Sequence, residues 1–382
     1  MTEKIKKNVL FLGFVSLLTD ISSEMIFSVL PVFMSSVLML DKATIGLIEG
    51  IAESAASVFK LLSEKAEKFF GKKKRVILFG YGFSAVVKPL FAFATNWWQV
   101  LLFRFGDRVG KGLRGPARDA LIADSSTDET RGFSFGLHRA MDSAGAVIGP
   151  LFAFLILSFF NQSFSLVFLL SFIPAFLAVL IITLFVKEEK AAVKKKAEKK
   201  TLENTKYKWF LFSASVFALG NLSFAFILIR VQELGLPIAF VPLAYMVFNI
   251  SYAFFAIPFG KLADRIGRIK SLSIAFALFS AVFVGFSLVK EIWLAVLLLV
   301  LYGIAAAGTD TIQRIIASEI VSKGKRTGSL GTYQGITGLL LLPASIIAGS
   351  LWSFIGAEAA FGFSAITSIL AMTLLYKVKR KE

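Results

Sequence analysis

The feature that most limits how this chain can fold is a recurring apolar run of about 20 residues, the length that spans a bilayer core. Inside that core no water satisfies backbone N–H and C=O groups, so such runs fold as helices. Twelve are read along the chain, at about 8–38, 43–64, 75–95, 97–116, 132–160, 164–186, 207–232, 239–262, 269–289, 292–318, 326–354 and 358–378. Of the 382 residues 56% are hydrophobic, and the mean hydropathy is +0.75. A water-soluble chain of this length needs a more polar shell. The fold class implied is an all-α membrane protein. The polar TDISSE lies inside the first run and no small-residue cleavage site follows it, so that run reads as a retained helix rather than a signal peptide.

A net charge of +17 would point to nucleic acid in a soluble protein. Here its distribution argues against that. Lys72–Arg75, the group Arg114, Arg118 and Arg131, the stretch Lys187–Lys208, the group Arg265, Arg268 and Lys270, and the group Lys323, Lys325 and Arg326 all fall in alternate gaps. Both ends of the chain are basic as well, whereas the other gaps hold little beyond Lys42 and Lys290. The positive-inside rule then puts both termini in the cytoplasm. Nucleic acid is not an expected partner; the bilayer is. There is no Cys and a single His, His138, which removes disulfides, thiol nucleophiles and Cys- or His-based metal clusters. No G-x-x-x-x-G-K-[ST] phosphate loop is present, so neither an ATP-driven pump nor an enzyme is expected, and no cofactor is implied.

Lys187–Lys208 is the one long polar stretch and divides the chain nearly in half. The expected organisation is a six-helix bundle over 1–186, a cytoplasmic linker over 187–206 and a second six-helix bundle over 207–382. The halves are alike. EKAEKFFGKKK at Glu64–Lys74 matches GKLADRIGRIK at Gly260–Lys270 with a spacing of 196 residues, and RGFSFG at Arg131–Gly136 matches RTGSLG at Arg326–Gly331 with a spacing of 195. An even number of spans per copy gives two parallel repeats, with a solute cleft between them.

GKLADRIGRIK is similar to the loop signature of the major facilitator superfamily. GAVIGP, Gly145–Pro150, is similar to the fifth-span motif of its antiporter branches, and TDISSEMIFSVLP, Thr19–Pro31, resembles the first-span pattern of the drug:proton antiporter branch. The wording DRVGKGLRGPARDALIA resembles a prokaryotic subgroup of largely unassigned substrate. The resemblance implies twelve helices in two parallel repeats, transport by alternating access, and Gly145, Gly149 and Pro150 as a functional motif.

The residues carry their own argument. Gly260 and Gly267 allow a tight turn and close helix approach. Asp264 suits the positive end of a helix, and Arg265 and Arg268 suit carboxylates or carbonyls, a latch that can be made and broken. Plain charge anchoring is the other reading of these cations. The first copy departs from the pattern, with Glu64 in place of Gly and Lys68 in place of Asp. Its latch is then either missing or rebuilt through Glu67.

Ionisable groups within spans are costly and mark function by default. Arg104 lies ~10 Å and Arg108 ~16 Å down the fourth span from Trp97, with Asp107 between them to offset a stripe that also includes Lys111. Arg114 and Arg118 read as anchors at the inner end. The glycines Gly106, Gly110, Gly112 and Gly115, with Pro116, are expected to loosen the lower half. Asp20 sits ~18 Å along the first span, close to the midplane, with Glu24 one turn further. Either acid facing Arg104 or Arg108 would serve proton coupling, and a static buried salt bridge is the competing reading. His138, Arg139 and Asp142 lie one to two turns inside the fifth span. His138 is either a packed residue or a proton carrier. Asp310 and Arg314 pair along the tenth span. Lys88 stands near the midplane with no obvious partner. The excess of cations favours an anionic or amphipathic small solute. Three readings follow: proton-coupled export, proton symport or facilitated uptake of an organic anion, and, from another class, a non-transporting sensor. The partners expected are a small solute, protons and lipid, with the protein a monomer.

Overall fold

The computed structural model describes residues 7–127, 129–188, 205–321 and 326–379, so most of the expected linker and the cations Lys4, Lys6, Lys323, Lys325, Arg380 and Lys381 lie outside the described residues. Everything described is helix or short connection, with no strand among the described residues.

Among the described residues twelve long helical segments follow in order. α1 is Lys7–Phe27, continued through Leu30–Val32 and a π-helical turn at Phe33–Val37. α2 is Lys42–Phe70. α3 is Lys73–Val87 with a 3-10 turn at Lys88–Phe93, α4 is Trp97–Asp124, and α5 is Arg131–Phe159. α6 is Phe164–Leu170 and Phe172–Phe185, interrupted at Ser171; α7 is Thr205–Gly220 and Phe224–Glu233. α8 is Val241–Ile266, α9 Arg268–Leu288, α10 Ile292–Glu319, α11 Arg326–Phe354 and α12 Ala357–Lys379. Ten of the twelve are apolar enough to qualify as membrane spans by composition alone; α2 and α4 do not, because they carry the charges discussed below.

Two helices run further than expected. α2 continues past residue 64 to Phe70, since Glu, Lys and Ala are good helix formers. It stops where Gly71 takes φ +72°, a left-handed value open to glycine at little cost. Gly267 closes α8 the same way, at φ +91°. α4 runs unbroken through its glycines and Pro116 to Asp124. Those glycines do not loosen it. A Cβ on Gly110 would meet the Gly80 carbonyl oxygen at 2.6 Å, and one on Gly112 would meet that of Ala56 at 2.7 Å. Gly110 and Gly112 are seats for α3 and α2, where small residues let backbones approach.

The chain packs as two compact units. Unit 1 comprises Met1–Met39, Ile51–Lys194 and Pro237–Met246; unit 2 comprises Leu40–Gly50, Lys195–Leu236 and Val247–Glu382. The core of unit 1 joins α1, α3, α4 and α6 through Leu12, Val15, Ile77, Leu113, Leu121 and Ile182. In unit 2 an aromatic core forms around Tyr302, with Phe248, Phe224, Phe279 and Phe283 at ring separations of 5.1, 5.7, 5.6 and 5.4 Å. Such pairs add ~0.5–1.5 kcal/mol each beyond the area they bury.

Candidate functional site

Unit 1 holds the buried ions of α4. Arg104 and Arg108 lie on one face of α4, one turn apart, at 3% and 6% exposure. Both reach Glu53 of α2: Arg108 Nη2 stands 2.9 Å from Glu53 Oε1, and Arg104 Nη2 stands 3.7 Å from the same oxygen. Each guanidinium also lies over the Phe27 ring, at 4.8 and 5.8 Å. Asp107, between them, turns to α3 and accepts a hydrogen bond from Ser84.

Glu53 is not among the residues singled out from the sequence. A signal was available: Glu49 and Glu53 are one turn apart in a helix that fails the hydropathy test. Glu53 is an acid beyond the two, Asp20 and Glu24, that were expected to face Arg104 and Arg108. The charges that weigh most on Asp20 are Asp142, Lys111, Glu24 and Arg118.

Lys88, expected to lack a partner, has three on α1. Its ammonium donates to Ser23 Oγ at 2.9 Å, to Ser22 Oγ at 3.0 Å and to the Thr19 carbonyl oxygen at 3.5 Å. Serines and a carbonyl on a neighbouring helix leave no mark in the sequence around Lys88.

The fifth-span motif has a geometric meaning. α5 crosses α1 so closely that a Cβ on Gly145 would meet the Asp20 Cβ at 2.8 Å, and one on Gly149 the Glu24 Cβ at 2.9 Å. One turn nearer the Lys7 end, Ser16 donates to Asp142 and accepts from Arg118 at 3.3 Å. His138 Nδ1 lies 3.6 Å from Asp142 Oδ2. Asp20, Glu24, Asp142 and His138 thus follow one helix crossing. Arg139 is exposed and stands apart from it, and Pro150 is buried within α5.

In unit 2 Asp310 pairs with Arg314 at 2.9 Å along α10 and accepts from the Tyr252 hydroxyl at 2.6 Å. In the loop signature Asp264 pairs with Arg268, the first residue of α9, at 2.7 Å. Arg268 also grips the Glu319 carboxylate of α10 at 3.0 and 3.2 Å and donates to the Ala263 carbonyl oxygen at 2.8 Å. Arg265 is exposed, and Gly260 has open space around it rather than a crossing helix. In the first copy Lys68 pairs with Glu64 at 3.2 Å, both exposed, while Lys73 holds Asp124.

Two repeats of six helices, built of runs long enough to cross a bilayer, narrow the fold, and the family model for the Major Facilitator Superfamily matches residues 12–229 and 209–382. The chain belongs to the Major Facilitator Superfamily. Like its family it is a multi-pass membrane transporter and not an enzyme. It is 34% identical to an uncharacterized MFS-type transporter of Methanocaldococcus jannaschii over 381 residues, 97% of this chain and 95% of the relative. It is 27% identical to the multidrug resistance protein MdtG of Proteus mirabilis, covering 82% of each chain. Among solved structures, a bacterial homolog of the human lysosomal transporter Spinster, inward-facing and unoccupied, superposes with a TM-score of 0.79 at 17% identity, over 99% of this chain and 98% of that one. At that identity the likeness speaks for the fold alone.

Proposed function

We propose that this major facilitator protein exports a small amphipathic organic solute in exchange for protons, by alternating access. The observation that carries the reading is the α1–α5 crossing, where Gly145 and Gly149 press the backbone of Asp20 and Glu24 against the helix that bears Asp142. Carboxylates gathered away from water are natural proton binders. A solute that places a polar or positive group among them displaces a proton, and mutual exclusion of proton and solute is what antiport needs. The likeness to MdtG, a multidrug resistance protein, supports export. In this reading both termini are cytoplasmic, the membrane is the plasma membrane, and the protein works as a monomer.

A second reading, proton symport of an organic anion, draws on Arg104 and Arg108 sharing Glu53. An anion that takes the two guanidinium groups frees the Glu53 carboxylate to bind a proton, so proton and anion travel together.

The two differ in sign. Purified protein in vesicles loaded with the pH dye pyranine is given ethidium, an amphipathic cation, or toluenesulfonate, a permanently ionised anion. Antiport makes the interior more alkaline as ethidium enters. Symport makes it more acidic as toluenesulfonate enters. Asp20→Asn combined with Glu24→Gln abolishes the first signal and leaves the second. If neither probe moves internal pH beyond protein-free vesicles, both readings fail.

A further inference from the structure

Proton exchange at the midplane needs a way for protons to reach it, and unit 1 contains a row of polar groups suited to that. We propose that water threads the α1–α5 face from Glu24 to His138, and that His138 is the terminus through which protons pass toward the Lys7 end of α1. This rests on the proton-coupled reading above and names its path.

Three observations carry the inference. The first is register. α5 runs parallel to α1, and the two meet at Glu24 with Gly149, at Asp20 with Gly145 and at Ser16 with Asp142. Those α1 positions fall every fourth residue and cover ~12 Å along one stripe of the helix. His138 lies one further turn along α5, 3.6 Å from Asp142. Acid, hydroxyl and imidazole therefore follow one another with no apolar layer between them on that stripe.

The second is unmet hydrogen bonding. Glu24 Oε2, Thr19 Oγ1 and His138 Nε2 are buried and make no hydrogen bond with protein among the described residues. Thr19 is 3% exposed and His138 4%. A buried polar atom left without a partner costs about 1–3 kcal/mol, and three on neighbouring faces of one crossing are the usual sign of internal water. A serine hydroxyl and an imidazole can each accept a proton on one side and give one up on the other, so water between such groups makes a relay.

The third is the charge around the terminus. The charges that act on His138 are Arg118 and Asp119 from α4 and Asp142 from α5, with the exposed Arg139 at longer range. Arg118 is held by Asp119 at 2.9 Å and by Ser16 at 3.3 Å. A proton passed from Asp20 through Ser16 or water reaches the Asp142 carboxylate and goes on to His138 Nδ1, while another leaves Nε2 for water toward the Lys7 end. The ring is again neutral, in its other tautomer, and no charge is left stranded.

His138 is the only histidine in the chain, so ¹⁵N-histidine labelling of the full protein, purified on a histidine-free tag, gives an NMR signal from one residue. The expected result is transfer of magnetisation from water to the Nε2 site, with a tautomer balance that shifts in Asp142→Asn. In the vesicle assay His138→Gln slows ethidium-driven proton movement by roughly tenfold or more, with its melting temperature close to that of the unsubstituted protein. A folded wild-type protein whose Nε2 makes no contact with water overturns the inference, even if His138→Gln fails to fold. So does a folded His138→Gln protein that moves protons at the wild-type rate. Either result leaves the antiport reading intact, whereas a wild-type protein that moves no protons for ethidium defeats antiport without touching the water measurement.

Discussion

Units 1 and 2 share a scaffold and differ in what fills it. Gly71 and Gly267, 196 residues apart, both end a long helix with positive φ. In each unit a cation at the start of the following helix is tied to a carboxylate at the far end of the next, Lys73 to Asp124 and Arg268 to Glu319. Asp124 and Glu319 are themselves 195 residues apart, the spacing that relates Arg131 to Arg326. The same spacing sets Leu299, Tyr302 and Gly303 of α10 against Arg104, Asp107 and Arg108 of α4. Where unit 1 holds three buried ions, unit 2 holds the aromatic core around Tyr302. The turns are dictated by backbone conformation, which few residues satisfy. Any side chains that satisfy one another can fill an interior, so one frame can hold ion chemistry in one copy and apolar packing in the other.

The largest expected effect tests that contrast at its centre. Glu53→Ala leaves Arg104 and Arg108 without the carboxylate they share. Breaking a buried ion pair from one side costs about 3–5 kcal/mol, and the partial exposure of Glu53, 32% of its side chain, puts this case toward the lower end. Tyr302→Phe, which removes a polar atom from the matching place in unit 2, is expected to cost less than about 1 kcal/mol. Thermal melting of the purified variants measures both. Equal losses would show that α4 and α10 contribute alike and would break the contrast.

A smaller effect separates close helix crossings from open ones. A Cβ on Gly149 would stand 2.6 Å from the Ile21 carbonyl oxygen, with backbone that cannot swing away. Gly149→Val is therefore expected to cost about 1–3 kcal/mol and to part α1 from α5. Gly331 of α11, 195 residues beyond Gly136, has nothing within 4 Å of such an atom. Gly331→Ala should stabilise by about 0.5–1 kcal/mol, because alanine loses less freedom in a helix. The same melting experiment reads the two opposite signs.

These cases also separate what the sequence makes legible from what it hides. Span number, the repeat and the family were readable because run length, loop charge and turn glycines are local quantities. The glycine motif was readable as a motif, but its task, seating Asp20 and Glu24, needed the α1–α5 crossing. Partnerships were least legible. Lys88 finds Ser22 and Ser23 some 65 residues away in sequence, and Arg108 finds Glu53 on a different helix, 55 residues earlier. A charge costs too much to leave unpaired in a membrane, so that a partner exists is predictable. Which residue serves depends on helix rotation, and residue spacing does not encode it.

The smallest expected effect concerns an acid outside the spans. Asp41 caps α2, accepting hydrogen bonds from the Thr44 backbone N–H at 2.9 Å and the Thr44 hydroxyl at 2.7 Å. Its counterpart 196 residues on is Pro237, which starts its turn with no side-chain cap. The Thr44 N–H, and after it the Thr44 hydroxyl, hold the Asp41 carboxyl below its ordinary value. A carboxylate whose folded pKa is depressed contributes its full stability above the unfolded value of about 3.9 and loses it as pH falls through the folded pKa. Asp41→Asn keeps a capping oxygen but gives up the charge. At neutral pH the variant should melt slightly lower than the wild type, by less than about 1 kcal/mol, since the site is well exposed to solvent. The gap should stay flat from neutral pH down to about pH 5 and close in more acidic solution. A gap that widens in acid would mean the carboxylate is strained rather than favoured where it sits, and the charged cap would then be no advantage of α2 over α8.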